Sequence, residues 1–475
     1  MQTRLLQLAP YAWAALIAGL LFVWFSGYGY DDPYITYRYA SNLARGAGFV
    51  YNPGERVLST TTPLYALALA GAGALGADIP RLSVALGAAS LALGGLLLWE
   101  LGQAWHTPLA GLAGLLIYPL APLLITTLGS ETPAYLALVL AGFLAYARER
   151  YAATAALLGL ATLVRADGAL AAVAVAVAFL VERRSPIPWR AAAIYAGLVT
   201  AGLALALAYF GAPLPVTLAA KRRQGLLPAS ELFLPGLLRQ ARDNYWRFAS
   251  FRPACVLAAA GVVGALAQRG PWLLVLGWSL LYTAAYTALG VTSYFWYYGP
   301  VVVGFVALAG LGLAGLGQLA ERWLARGWAA WALKLLLLAL ALRPLPESIA
   351  FLRAHPDARQ AIYRSAGEWL REHTPPESRV GALEVGIIGY YADRPMIDFA
   401  GLIQPAVAQQ LGPASSYDDA ALWAFERHQP GYLVLTDGQL PRMQAAALAQ
   451  GCQPAATLRD AHYPQPLIIL ACASP

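Results

Sequence analysis

Long apolar runs, separated by short polar turns, fill most of this chain. They predict membrane-spanning helices near 10–25, 80–99, 108–127, 132–147, 151–164, 168–182, 191–210, 254–267, 271–289, 299–317 and 328–343, eleven in all. A spanning helix needs about 20 apolar residues, and several of these runs are shorter. A further apolar piece, 63–75, is too short to span and reads as a re-entrant or interfacial helix. The apolar pattern ends near Pro346. Beyond it, 355–372 has helical periodicity, while RVGALEV, GYLVLT and PLIILAC have the short apolar runs of strands between Gly, Pro and Asp turns. The fold class that follows is a polytopic α-helical membrane protein, 1–345, with a small C-terminal α/β domain, 346–475.

Composition agrees with that pattern. Of 475 residues 59% are hydrophobic and 12% charged, with a mean hydropathy of +0.55. Soluble domains carry about 25% charged residues. The first run lacks a clean small-residue cleavage site, so it is expected to stay as a signal anchor. Arg148, Arg150, Arg183, Arg184, Arg190, Arg269, Arg322 and Arg326 all fall in alternate turns. The positive-inside rule then puts the N-terminus in the cytoplasm, and the loop 29–62 and the C-terminal domain outside. Cys255, Cys452 and Cys472 have no metal-ligand spacing; outside the cytoplasm the last two could pair. No Gly-rich phosphate loop is present, which argues against a nucleotide-sugar substrate. The net charge of +7 means little until it is placed on one side of the membrane, and no nucleic-acid partner is expected.

The outer loop 29–62 carries two adjacent carboxylates, Asp31 and Asp32, just after the first span. Asp32 suits a helix N-cap and Pro33 the first helical position. Tyr34, Tyr37, Arg38 and Ser41 follow at helical spacing, and Gly46 and Gly48 end the pattern. An amphipathic helix lying along the membrane surface is expected, with the carboxylates at its head. A cap and a favourable dipole would explain one carboxylate. Asp31 is then left over at a membrane boundary, where an idle charge is costly, and becomes a functional candidate.

Other outer segments also carry ionisable groups. LGSETPAY places Ser130, Glu131 and Thr132 in a short turn, where Glu131 could simply cap the next helix. LVRADG joins two short spans through Arg165 and Asp167, which could form a local ion pair. The loop 211–253 holds Lys221, Arg222, Arg223, Arg239, Arg242, Arg247 and Arg252 against Glu231 and Asp243. A basic cluster on the outer side points to an anionic ligand or to lipid headgroups. The run YFWYYGP, with Tyr297 and Tyr298, fits either an interfacial aromatic belt or a site wall. Together these groups gather at one membrane face.

The stretch DDPYITYRYASNLARGAGFVYNPGERVLSTTTPLY resembles the first extracytoplasmic loop of GT-C membrane glycosyltransferases, especially the mycobacterial terminal arabinofuranosyltransferase type. Three further motifs fit that resemblance: Gly129–Ser130–Glu131–Thr132 (G-x-ET), Arg165–Ala166–Asp167–Gly168 (R-x-DG), and Pro215–Val216–Thr217 with Ala220–Lys221 (P-N-T-x-x-AK). Val216 replaces the Asn of the last one, which puts any role of that amide in doubt. EVGIIGYYADRPMIDFAGL, with Glu384, resembles the same family's extracytoplasmic domain. The resemblance implies an inverting transfer of a sugar from a polyprenyl-phosphate donor to a hydroxyl of a glycan, lipid or protein acceptor. The setting would be cell-envelope synthesis at the outer face of a bacterial cytoplasmic membrane. It implies Asp31 as general base, Asp32 as cap or helper, and Lys221 with Arg222 or Arg165 as ligands of the leaving phosphate. Tyr34, Arg38, Glu131, Asp167, Tyr297, Tyr298 and Glu384 would bind substrate. A divalent cation, Mg or Mn, stays open, since paired carboxylates suit one although no dedicated cage is visible. The competing class is a transporter or flippase of a lipid-linked anionic substrate. Transporters place their sites near the midplane, often within repeated halves, and no repeat is evident here.

Overall fold

The computed structural model describes residues 2–184, 186–268, 270–324 and 326–472. Arg269, one of the charges used for orientation, lies outside the described residues.

Helices form on the eleven apolar segments. They are Gln2–Phe25, Ile79–Ala104, Pro108–Ile117 with its continuation to Ile125, Thr132–Ala147, Tyr151–Val164, Gly168–Val181, Trp189–Phe210, Arg252–Gln268, Leu273–Leu289, Gly299–Trp323 and Gly327–Leu342. The third is broken where Pro119 and Pro122 remove backbone donors, leaving a 3-10 turn and a four-residue helix. Their shared core holds Trp278, Phe143, Tyr135 and Leu136, all fully buried. The apolar piece after the outer loop is a helix too, Pro63–Gly73.

The C-terminal part begins with helices Pro344–Ala354 and Arg359–His373. A five-stranded mixed sheet follows, of β1 (Val380–Ala382), β2 (Met396–Asp398), β3 (Tyr432–Thr436), β4 (Gln453–Asp460) and β5 (Tyr463–Ala471). Its order is β2-β1-β3-β5-β4, with β1 parallel to both neighbours and β5 antiparallel to β3 and β4. The apolar runs predict β1, β3 and β5. Strands β2 and β4 go unpredicted because one is three residues long and the other, QPAATLRD, is polar and half exposed at the sheet edge. Cys452 and Cys472 are joined in a disulfide that closes the open end of the β4–β5 hairpin.

One expectation is corrected. The outer-loop helix, Asp31–Ala44, does not lie on a membrane surface with one wet face. Ten of its 14 residues are buried. The cause is a second core, shared between outer loop and C-terminal part, in which Tyr34, Tyr37, Tyr39 and Phe49 pack with Ile362, Val385 and Ile387. The helix is therefore a buried link between the two halves.

Replacing Cys452 by Ser should destabilise the C-terminal part by about 2–4 kcal/mol, the usual worth of a native disulfide. Urea unfolding followed through this part, with and without reductant, measures it; equal midpoints would rule the effect out.

Candidate functional site

A cavity of about 180 Å³ opens at one end of the helical bundle, between the loop 29–62, the turns at 130–131 and 165–167 and the loop 211–253. Six of the expected residues line it: Asp32, Glu131, Arg165, Asp167, Lys221 and Tyr297.

Lys221 arrives on the helix Thr217–Gln224, whose buried face is Thr217, Ala220, Lys221 and Gln224. That is the i, i+3, i+4, i+7 stripe of a helix. Its ammonium lies 3.1 Å from Asp32 Oδ2, 3.9 Å from the ring centre of Tyr294 and 5.3 Å from that of Trp296. Burial works against this ammonium, but the Asp32 carboxylate and the surrounding tyrosines hold it well above the usual lysine range. Lys221 is thus a fixed positive charge with aromatic walls. The periodicity that buries it turns Arg222 and Arg223 out to solvent. Arg222 is therefore no ligand of this cavity. The remaining basic residues of the loop do not converge either: Arg239 pairs with Glu231 and Arg242 with Asp243.

Arg165 binds two carboxylates, Glu131 through Nη1 and Asp167 through Nη2, each at 2.8 Å. Tyr286 donates to Asp167 at 2.6 Å. Glu131 occupies an N-cap position yet makes no capping bond, because its carboxylate is turned to Arg165. Gly129 sets this turn at a φ of +86°, a conformation that suits glycine, and its carbonyl accepts from Ser83 and Tyr37. The triad carries one net negative charge and is held rigid on every side.

The Asp pair divides its labour. Asp32 is not the helix cap; Tyr30 holds that position without a side-chain bond, and both Asp residues sit in the first turn. Successive helical residues point about 100° apart. Asp32 therefore faces the cavity while Asp31 faces the C-terminal part. Asp31 accepts from the backbone N–H of Gly386 at 2.9 Å and of Ile387 at 2.8 Å. These are the first amides of the helix Gly386–Ala392, whose dipole favours an anion there. A Cβ on Gly386 would sit 1.9 Å from the Asp31 carbonyl oxygen and 2.7 Å from Oδ2, so only glycine admits the contact. Burial, and next the nearby Glu384 carboxylate, push Asp31 up to about 8 against the pull of the two amides.

Four other expected residues lie elsewhere. Arg38 is buried and donates to the carbonyls of Tyr51 at 2.9 Å, Arg394 at 2.6 Å and Gly389, which uses its guanidinium as a tie between outer loop and C-terminal part. Tyr34 packs among Tyr37, Tyr390 and Tyr391 in that same seam. Tyr298 points away and donates to the Phe233 carbonyl at 3.0 Å. Glu384 faces a neighbouring cavity and accepts from Arg359 at 2.8 Å. Val216 is not among the lining residues of the main cavity; its backbone N–H bonds the Leu58 carbonyl. Sequence reasoning missed Tyr30, Thr60 and Tyr286 as walls, and held Trp296 only as part of the aromatic run 294–300. Tyr282 and Tyr286, one turn apart inside a span, were the readable signal for one of them.

Among the described residues, no three His, Cys, Asp or Glu side chains converge to hold a metal. Each cavity carboxylate already has a cationic partner, so the set does not fit the oxygen cage of Mg or Mn.

The whole architecture has solved counterparts. The chain superposes on ArnT from Cupriavidus metallidurans bound to undecaprenyl phosphate with a TM-score of 0.63 at 16% identity, covering 97% of each chain. The fold is GT-C. The apo form of the same ArnT gives a TM-score of 0.57 at 17% identity, with 98% of each chain covered. The Archaeoglobus fulgidus oligosaccharyltransferase, in complex with Zn and sulfate, gives 0.60 at 14% identity, covering 91% of this chain and 70% of that one. Residues 350–468 match a family model described as a domain of unknown function, DUF8728. No curated protein matches the sequence.

Asp31 titrates higher in the folded protein than its ordinary 3.8. Its contribution to stability is therefore complete below about pH 4 and shrinks as pH rises toward about 8. Asp31→Asn should flatten that slope in thermal melts from pH 5 to 8. Gly386→Ala should cost more than Asp31→Asn at every pH, because it displaces the backbone as well; the reverse ranking would refute the clamp.

Proposed function

We propose that this protein is an inverting membrane glycosyltransferase that moves a sugar from a polyprenyl-phosphate donor to an acceptor hydroxyl. The observation that carries the reading is the Asp32–Lys221 pair, a carboxylate and a buried ammonium facing one cavity in a GT-C fold. An ArnT structure with undecaprenyl phosphate superposes over the full chain, which supports a polyprenyl phosphate as the leaving group. The loop's likeness to terminal arabinofuranosyltransferases makes an arabinofuranosyl donor the first to try.

The donor is already activated, since its phosphate can leave from the anomeric carbon. What the protein adds is a proton acceptor and a countercharge. Asp32 takes the proton from the acceptor hydroxyl, as a carboxylate within hydrogen-bond reach can. The acceptor oxygen bonds the anomeric carbon while the bond from that carbon to the phosphate oxygen breaks. One displacement inverts the anomeric configuration. Lys221 stabilises the charge gathering on the departing phosphate, and its fixed position avoids reorganisation during the step. As the proton moves to Asp32, Lys221 loses its partner's charge just when the phosphate needs one. Arg165, with Glu131 and Asp167 attached, shapes the sugar end rather than holding phosphate, because its charge is already balanced. Asp31 is assigned a positioning role, aiming Asp32 through the shared helix turn.

We also place the N-terminus in the cytoplasm and the C-terminal domain, from residue 346, outside a bacterial cytoplasmic membrane. The Cys452–Cys472 disulfide favours that side, since disulfides persist in oxidising compartments. Cell-envelope glycan synthesis is the setting that fits.

The test uses protein in lipid nanodiscs with radiolabelled polyprenyl-phosphate sugars and a membrane glycan extract. Asp32→Asn should lower kcat by about 10²–10⁴. Lys221→Met should weaken undecaprenyl-phosphate binding by about 10- to 100-fold, the worth of one charged hydrogen bond. Normal turnover by Asp32→Asn, with Asp31→Asn inactive yet correctly folded, would return the base to Asp31. No turnover of any donor, together with no binding of undecaprenyl phosphate, would sink the transferase reading.

A further inference from the structure

Asp32 belongs to two cavities. Besides the one described, it lines a second of about 140 Å³, with Asp31, Tyr294, Arg359, Glu384 and Tyr417. Tyr30, Trp296 and Leu402 also face both. A column of rings stands where they meet: Tyr30 stacks on Trp296 at 5.3 Å between centroids, and Trp296 on Tyr294 at 4.5 Å. Lys221 lines the first cavity only, and residues of the C-terminal unit form much of the second.

The second cavity has an unusual balance of polar groups. Its one guanidinium, Arg359, is paired with two carboxylates: Nη1 bonds Glu384 Oε1 at 2.8 Å, while Nε and Nη2 bond Asp357 at 2.9 and 2.6 Å. Glu384 keeps Oε2 buried with no hydrogen-bond partner. Asp32 has its Oδ2 bonded to Lys221. What faces an incoming molecule is therefore an excess of accepting oxygens, and no cation that lacks an anion. A buried acceptor left unpaired costs about 1–3 kcal/mol, which a donor hydroxyl would recover. A phosphate or carboxylate would instead meet the Glu384 and Asp32 carboxylates, whose cations are already shared with them.

Resting on the transferase reading above, we infer that this second cavity receives the acceptor, and that the acceptor is an uncharged polyol such as the hydroxyl face of a glycan. One hydroxyl donates to Glu384 Oε2 and holds the ring. A second reaches Asp32, which takes its proton as the oxygen bonds the anomeric carbon presented from the other cavity. The polyprenyl phosphate leaves with the electron pair of the broken bond, on the Lys221 side. The ring column keeps donor and acceptor apart except at Asp32, so water has a narrow route to the anomeric carbon.

The experiment takes the full chain in nanodiscs, the donor that wild type turns over, and two acceptor probes, an octyl glycoside and its 6-phosphate. Undecaprenyl-phosphate affinity is measured in parallel. The neutral glycoside should be the better acceptor. Glu384→Gln and Tyr417→Phe should each raise its KM, the former by about tenfold, the size of one hydrogen bond to a charged group. Undecaprenyl-phosphate affinity should stay within about twofold, a change well under one such bond. Preference for the 6-phosphate would overturn the acceptor class. A loss of undecaprenyl-phosphate binding in Glu384→Gln as large as in Lys221→Met would assign the cavity to the donor instead. If wild type neither binds undecaprenyl phosphate nor transfers any sugar, the transferase reading itself falls, and this inference with it.

Discussion

Two backbone amides on one carboxylate set the geometry of everything at the outer face. Asp31 receives the N–H groups of Gly386 and Ile387, which fixes the first turn of the outer-loop helix against the C-terminal unit. The next side chain along, Asp32, is thereby aimed at the cavity. Arg38, two turns on, repeats the tie with three backbone carbonyls. Such bonds are directional, and in a buried setting their loss leaves orphaned groups on both sides. The C-terminal unit is thus part of the scaffold that points the carboxylate, rather than an appendage beside it.

The charges of the cavity come in two sets, and the sets differ in how they can change. Arg165 with Glu131 and Asp167 is a closed group, with each carboxylate on its own edge of a planar guanidinium. Lys221 and Asp32 form a looser pair of a point charge and a carboxylate that is one-third exposed. Protonating Asp32 frees Lys221, whereas protonating Glu131 would still leave Arg165 bound to Asp167. A reacting centre needs the first kind of pair and a rigid wall needs the second.

Much of this was written in the sequence, and the omissions have physical causes. Hydropathy located the spans because lipid demands apolar length, and Glu131, Arg165 and Asp167 stood out as ionisable groups in short turns between apolar runs, which the family resemblance then matched to its G-x-ET and R-x-DG motifs. Lys221 and the Asp31–Asp32 pair stood out as charges at a boundary, with Asp31 expected as the base and Asp32 as the cap. What local pattern could not give was the direction of neighbours. Asp31 and Asp32 differ by one residue, and so do Lys221 and Arg222; helical rotation alone sends one inward and the other away. The burial of Tyr34 and Arg38 was invisible for another reason: the surface that covers them is supplied some 350 residues later, by Val385, Gly389 and Arg394. Strand β4 stayed hidden because an edge strand needs little apolar character.

The sheet order carries a consequence for biosynthesis. Strand β5 lies between β3 and β4, so the sheet cannot close until residue 471 has been made. The amides that hold Asp31 open the helix Gly386–Ala392, which directly follows β1 of that sheet. Asp32 therefore has no fixed aim while the spans are being inserted. The last strand to be made completes the support of a carboxylate that stands near the start of the chain.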